Sequence, residues 1–515
     1  VDRLQRCLIG ALFLCLATGG VALASGGPVP SPDGPPPALL LSFLLPGGLI
    51  LLLCAALPED RAAATATGAM IAWGLASVAY WAVGFAFHFG GVAVVSDAPD
   101  LAGLYWEYSL LDVTWGTGWG MIGLRGFWLA DAAATPGAST LFLAQLPLLG
   151  VVAVSLHFGL GRRAPRGLMV PAGLLAGGLI YPLAGNWVWG GGWLANLGWT
   201  LGYGHGFVDA LGGGLAALAG AAAALAAAVT FGRDDAATEP APGLVTPMPA
   251  AHLPLLGWLG GLLMVVGWLA TTGAAHLPAA AGVPVALSAT NLVLAAAAAA
   301  CATGLYAWFA TGRLDALMTG RGLAAGLAVA AAAGAFVPAW SALAAGFVVG
   351  ITLPPVLWAC ERARRLGSAA APLAVLGLPA AVGLLLPGLV ADGRFGVGWN
   401  RVGLDSYLGV PDQGVSGAWV AAGLAADWPG QLYAQLIGLA AVAAWSFAVC
   451  WLALVIPAAV LRGQQRSGLA LGTPPAPLPP DDGVEAVADG LPTGEHLPQP
   501  GGAVALAREA GGSEP

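Results

Sequence analysis

One carboxylate, Asp209, stands at the head of a run of glycine, alanine and leucine with no other charge before Arg233. Holding an ionisable group at membrane depth is costly, so a residue of this kind anchors a structure or a function. The segment around it, Trp187 to Gly220, reads WVWGGGWLANLGWTLGYGHGFVDALGGGLAALAG. Its indoles and triple glycines suit backbones that approach closely, as packed membrane helices require. Elsewhere the chemistry is thin. The histidines His88, His157, His205, His252, His276 and His496 include no two at a metal-ligand spacing. The cysteines Cys7, Cys15, Cys54, Cys301, Cys360 and Cys450 form no CxxC and read as buried apolar thiols. Gly190 to Gly192 and Gly212 to Gly214 lack the Lys and Ser/Thr of a phosphate loop, so they read as packing sites. Catalysis, a metal and a cofactor are all unsupported; a conduit, a carrier or a receptor remains. An ion-coupled carrier would show several intramembrane charges around a midplane site. Asp209 alone favours a passive path for a small, mainly neutral solute.

The elements that must position these residues follow from composition. Of the 515 residues, 58% are hydrophobic and 9% charged, and the mean hydropathy is +0.81. Soluble domains carry about 25% charged residues, so this is an all-α, polytopic membrane protein in contact with lipid throughout. The net charge of −8 offers no basic surface for nucleic acid. A bilayer core needs roughly 20 apolar residues per helix. Eleven such runs fall at 39–57, 67–90, 138–161, 168–188, 208–231, 254–273, 284–311, 320–338, 341–360, 370–391 and 431–461. Small residues dominate Leu211 to Val229 and Leu294 to Gly304, which suits a tight bundle or a narrow pore and not a large cavity.

The arginines orient the chain. With the N-terminus outside, twelve arginines fall in inner segments and only Arg125, Arg394 and Arg401 in outer ones, the bias of cytoplasmic loops. The long outer loops are acidic, with Asp97, Asp100, Glu107, Asp112 and Asp131 in one and Asp392, Asp405, Asp412 and Asp427 in the other. Residues 1–25 read as a signal peptide, from Arg3 and Arg6, an apolar run and Ala22-Leu23-Ala24, with a retained extra helix as the alternative. Residues 26–466 form the membrane domain, and 467–515, rich in Pro, Gly, Asp and Glu, a disordered cytoplasmic tail. The expected setting is the inner (cytoplasmic) membrane, N-out and C-in.

Several motifs then carry a resemblance. Trp187–Leu194 is similar to the HWVWGGGWL segment of the ammonium transporter (Amt/Mep/Rh) family, and Asp209–Gly213 stands where that family has DFAGG. Thr311–Met318 resembles its TGKPDLxM loop, while Gly409–Gly417 and Pro429–Gly438 resemble the segment leading into its last helix. The match runs over most of 39–462. The resemblance implies two inverted five-helix halves around a narrow pore, an eleventh helix, assembly as a homotrimer, and a PII-type regulator as a cytoplasmic partner. It implies ammonium or ammonia as the solute, recruited at an outer aromatic site by cation–π attraction. Trp189 matches the vestibule tryptophan and Asp209 the buried aspartate behind it.

The pore lining departs from the family. The two pore histidines become Ala217 and Leu376, the first gate phenylalanine becomes Leu148, and the second becomes Thr271. Imidazoles would give hydrogen bonds and a proton route; Ala and Leu give neither. An unpaired polar solute in an apolar channel costs on the order of 2–7 kcal/mol. His88, His157, Thr271 and Thr272 are conceivable substitutes. Three functions stay open: an ammonium channel, a non-conducting receptor or structural paralogue, and a conduit for another small neutral solute.

Overall fold

The computed structural model describes residues 37–161, 164–231, 252–273, 283–363 and 365–470. The expected signal peptide and nearly all of the expected tail lie outside the described residues. The chain divides into two units, 1–460 and 461–515, and the site belongs to the first.

Among the described residues, eleven helical segments are long and apolar enough to cross a bilayer. Spans 1 to 5 are Pro37–Cys54, Arg61–Val94, Pro136–Leu160, Arg166–Trp189 and Gly213–Phe231. Spans 6 to 11 are Leu253–Thr272, Val285–Thr311, Ala316–Ala333, Ala339–Arg362, Pro372–Val390 and Gly430–Leu461. The count agrees with the apolar runs, but span 5 begins at Gly213 and not at 208. Gly212, at φ +74°, turns the backbone out of helix there, so Asp209 lies in the connection just before the span. The last helix runs on to Ala470, a few residues into the segment read as tail.

The packing repeats itself. Spans 2 and 4, 3 and 5, and 1 and 3 are neighbours, and adding five to each number gives 7 and 9, 8 and 10, and 6 and 8, which are neighbours too. Span 1 packs on span 6 and span 5 on span 10, joining the two halves.

Small residues make this closeness physically attainable, because in lipid helices associate through contact and not through hydrophobic expulsion from water. Gly346 and Gly350 of span 9 rest on the Ala295 and Ala299 backbone of span 7, and Gly326 of span 8 meets the same Ala295 carbonyl. Gly159 of span 3 rests likewise on Ala224 of span 5. The Thr303 hydroxyl donates to the Gly350 carbonyl at 2.7 Å, tying spans 7 and 9 together.

Three spans contain a wide turn, at Tyr80–Gly84, Ala176–Ile180 and Pro372–Gly377. In the second, the Tyr181 amide reaches back five residues to Ala176, and Pro182 follows with no N–H to continue the usual ladder. Leu378 and Pro379 repeat that pattern in span 10. The turns of spans 2 and 4 touch: a side chain at Gly84 would strike the Gly177 carbonyl, and one at Gly177 the Ala76 carbonyl. Two long connections, 95–135 and 391–429, share one face of the bundle with the 190–212 turn, and each carries a two-residue antiparallel ladder.

Gly350→Val should separate spans 7 and 9, since even a Cβ there has no room beside Ala299. Overpacking of this kind costs about 1–3 kcal/mol. The expected result is a lower thermal unfolding midpoint in detergent, read by tryptophan fluorescence, and an unaltered midpoint would contradict the packing described.

Candidate functional site

The site is built where span 4 turns into span 5. Asp209 is fully buried, and both its carboxylate oxygens are occupied by backbone: Oδ1 accepts from Gly212 N at 3.1 Å and Oδ2 from Leu215 N at 2.6 Å. These amides belong to the start of a helix, where the first N–H groups have no partners of their own. Burial pushes the Asp209 carboxyl up to about 7, while the amides of Leu215, Gly214 and Gly212 pull it down. The carbonyl of the same residue accepts from Trp189 Nε1 at 3.0 Å, which fixes the indole.

Span 11 holds this turn from behind. Gln431 Oε1 accepts from His205 N at 2.9 Å, and Gln435 Oε1 accepts from Val208 N at 2.8 Å while its Nε2 donates to Val208 O at 3.0 Å. Asn400, from the connection before span 11, donates to the His205 carbonyl at 2.7 Å.

Trp189 and Leu148 are brought together over Gly212, where any side chain would strike Leu148 Cδ1 and crowd the indole ring. Trp189 therefore faces the bundle interior and is buried with Leu148, Ala217 and Leu376 in one continuous core. Ala217 lies on span 5 and Leu376 on the wide turn of span 10, two segments that pack on each other. The Thr271 hydroxyl is turned back to the Trp268 carbonyl at 2.7 Å, and Thr272 to Leu269 O at 2.7 Å, so both donors stay within span 6. Leu148, Ala217, Thr271 and Leu376 each expose no more than 2% of their surface.

His157 packs its ring on Gly68 of span 2. His88 is different. It is fully buried beside the site, with its ring centroid 5.8 Å from Trp189 and 5.5 Å from Tyr181. The Tyr80 hydroxyl lies 2.9 Å from His88 Nδ1, and the Tyr181 hydroxyl donates to Gln145 Oε1 at 2.6 Å. This cluster of Tyr80, His88, Gln145 and Tyr181 escaped the sequence reading as a unit. Its signal was present as polar aromatics inside apolar spans, but only the two touching wide turns bring them face to face.

A second carboxyl lies on the same face. Glu107 pairs with Gly123 in the hairpin of Glu107–Tyr108 and Ile122–Gly123. Trp187 Nε1 donates to Met121 O at 3.0 Å, Trp193 N to Gly120 O at 3.0 Å, and Asn196 Nδ2 to Gly118 O at 3.0 Å. The hairpin is thus laced onto the Trp/Gly segment. Burial and then the Asp112 charge push the Glu107 carboxyl up to about 8, and the neighbouring Asn186 amide acts against them.

Asp209→Ala should strand the Gly212 and Leu215 amides at the head of span 5. Loss of such a buried cap costs roughly 2–4 kcal/mol. The thermal midpoint of the purified protein should fall accordingly; a variant as stable as the parent would show that the carboxylate is not the cap.

Comparison with known proteins agrees with this architecture. The chain is 27% identical to ammonium transporter Amt2 of Archaeoglobus fulgidus over 323 residues, 62% of this chain and 63% of that protein. It is 27% identical to Amt1 of the same organism over 300 residues, 55% of this chain and 71% of that protein. The match to Amt2 thus spans somewhat less than two thirds of that protein's length. Among solved structures, one described as a sensor Amt protein superposes with a TM-score of 0.62 at 20% identity, covering 81% of this chain and 90% of that one. Saccharomyces cerevisiae Mep2 gives a TM-score of 0.62 at 21% identity, with 81% and 84% covered. The sequence model of the Ammonium Transporter Family matches residues 38–462. With that match over most of its length and eleven membrane-crossing segments in the same fold, the chain belongs to the ammonium transporter family.

Proposed function

We propose that the protein passes ammonium or ammonia across the cytoplasmic membrane, with the long-loop face outside and Trp189 at the entrance. The observation that carries this reading is the Trp189 indole, held by the Asp209 carbonyl and turned onto Leu148 above the start of span 5. An indole in a desolvated setting attracts a small cation by about 2 kcal/mol. Beyond it the candidate lining of Leu148, Ala217, Thr271 and Leu376 is apolar or has its hydroxyl donor already in use. A bare charge in such surroundings costs far more than a neutral polar molecule. Ammonia is therefore the species that crosses, the proton being left at the entrance side. The arginine distribution supports the N-out, C-in orientation, and the family likeness supports a trimer with a PII-type protein as a cytoplasmic partner.

A second reading is a receptor that keeps the fold without conducting. It is favoured by the buried, apolar lining and by Ala217 and Leu376, which the resemblance aligns with the family's pore histidines. The two readings part in a cell lacking its own ammonium transporters. The channel reading expects methylammonium uptake, weakened about tenfold to thirtyfold in apparent affinity by Trp189→Leu. Correctly inserted protein with no uptake would leave the receptor reading.

A further inference from the structure

We propose that Arg321 is the inner charge barrier of the path: a buried guanidinium that turns back cations and leaves the cytoplasmic exit open to neutral solutes. The inference rests on the channel reading above and adds the residue that sets its selectivity for uncharged molecules.

Its place follows from helix register. A Cβ at Gly214 of span 5 or at Gly383 of span 10 would strike the Ala332 side chain, so Ala332 marks the face of span 8 turned to both. Arg321 precedes Ala332 by eleven residues, close to three full turns, and lies on that same face about 16 Å further in. Its neighbours Gly320 and Gly322 pack on Gly257 of span 6 and Thr303 of span 7, which leaves Arg321 the side toward spans 5 and 10. Leu376 precedes Gly383 by seven residues, about 10 Å, in a span that runs the same way. Arg321 therefore stands about one turn inward of Leu376, on the cytoplasmic side of the candidate lining. Span 8 also packs on the wide turn that carries Leu376.

Charge is otherwise missing here. Spans 5, 8 and 10 contain one charged side chain among them, and it is Arg321. Only 6% of it is exposed, its Nε has no hydrogen-bond partner, and no carboxylate among the described residues lies within ion-pair distance. Glu361 and Asp315 act on it from further away, and both are exposed, where water and salt screen them. Asp315 is also engaged as the cap of span 8, its Oδ1 accepting from Met318 N at 2.9 Å.

A charge held at membrane depth is costly and marks function. A guanidinium stays protonated throughout the physiological range, so this charge is permanent. In a low-dielectric setting a second cation feels it strongly, and an arginine so placed in a narrow pore excludes protons and cations. Ammonia, being neutral, meets no such repulsion. The apolar lining makes a bare cation expensive, and Arg321 raises the same barrier at the end where that lining approaches the cytoplasm.

The test compares the parent, R321M and R321K in proteoliposomes. Internal alkalinisation reads ammonia entry, and ammonium-driven current on a solid-supported membrane reads charge movement. R321K keeps the charge and should behave as the parent, with alkalinisation and little current. R321M should carry about tenfold more ammonium current at similar alkalinisation. Current in R321M no larger than in the parent overturns the barrier, and so does a parent whose current already matches its ammonia entry. A parent that takes in no ammonia removes the channel reading; the barrier then survives only if R321M leaks cations above the parent. Should R321M fail to fold, R321Q, which removes the charge and keeps a polar head, takes its place under the same criteria.

Discussion

A carboxylate buried in an apolar bundle without an ion partner needs another source of solvation, and for Asp209 that source is the head of span 5. The free amides of a helix start act as fixed partial positive charge. The geometry this imposes spreads outward. Gly212 must take a left-handed turn so that Asp209 can reach back over the helix, and the missing side chain there is what lets Trp189 meet Leu148. The Asp209 carbonyl, turned the other way, holds the indole. Gln431 and Gln435 then clamp the same turn from span 11, so the last helix contributes to the site without lining it.

The second consequence is electrostatic. Because the Asp209 oxygens take backbone amides, its charge is already partly balanced by the helix start. Glu107, on the hairpin, instead has the Asn186 side chain beside its carboxyl. In the proposed path a cation meets aromatic faces first, then an apolar lining that only a neutral molecule crosses cheaply.

Much of the fold could be read from residues alone. Eleven apolar runs gave eleven spans because length and hydropathy are nearly sufficient when every backbone group must be bonded within the membrane. The start of span 5 was misread by several residues because hydropathy does not register the turn at Gly212. Trp189 and Asp209 stood out through residue type and setting. Glu107 did not, since it is one acid among several in a polar connection, and only the pairing of Glu107 with Gly123 turns it toward Asn186. His88 could be named only as a conceivable substitute for a pore histidine. In FAFHFGG it reads as a residue at a helix end, whereas the wide turn at Tyr80–Gly84 rotates it into the core against Tyr181 and Trp189.

The account rests most heavily on an apolar path without imidazoles still carrying ammonia. Proteoliposomes holding a pH-sensitive dye, given an inward ammonium gradient, measure this directly when the parent is compared with the double variant A217H/L376H. The account predicts internal alkalinisation faster than in empty liposomes for the parent, and about tenfold faster again once two hydrogen-bonding side chains are supplied. Parent liposomes no faster than empty ones would contradict it.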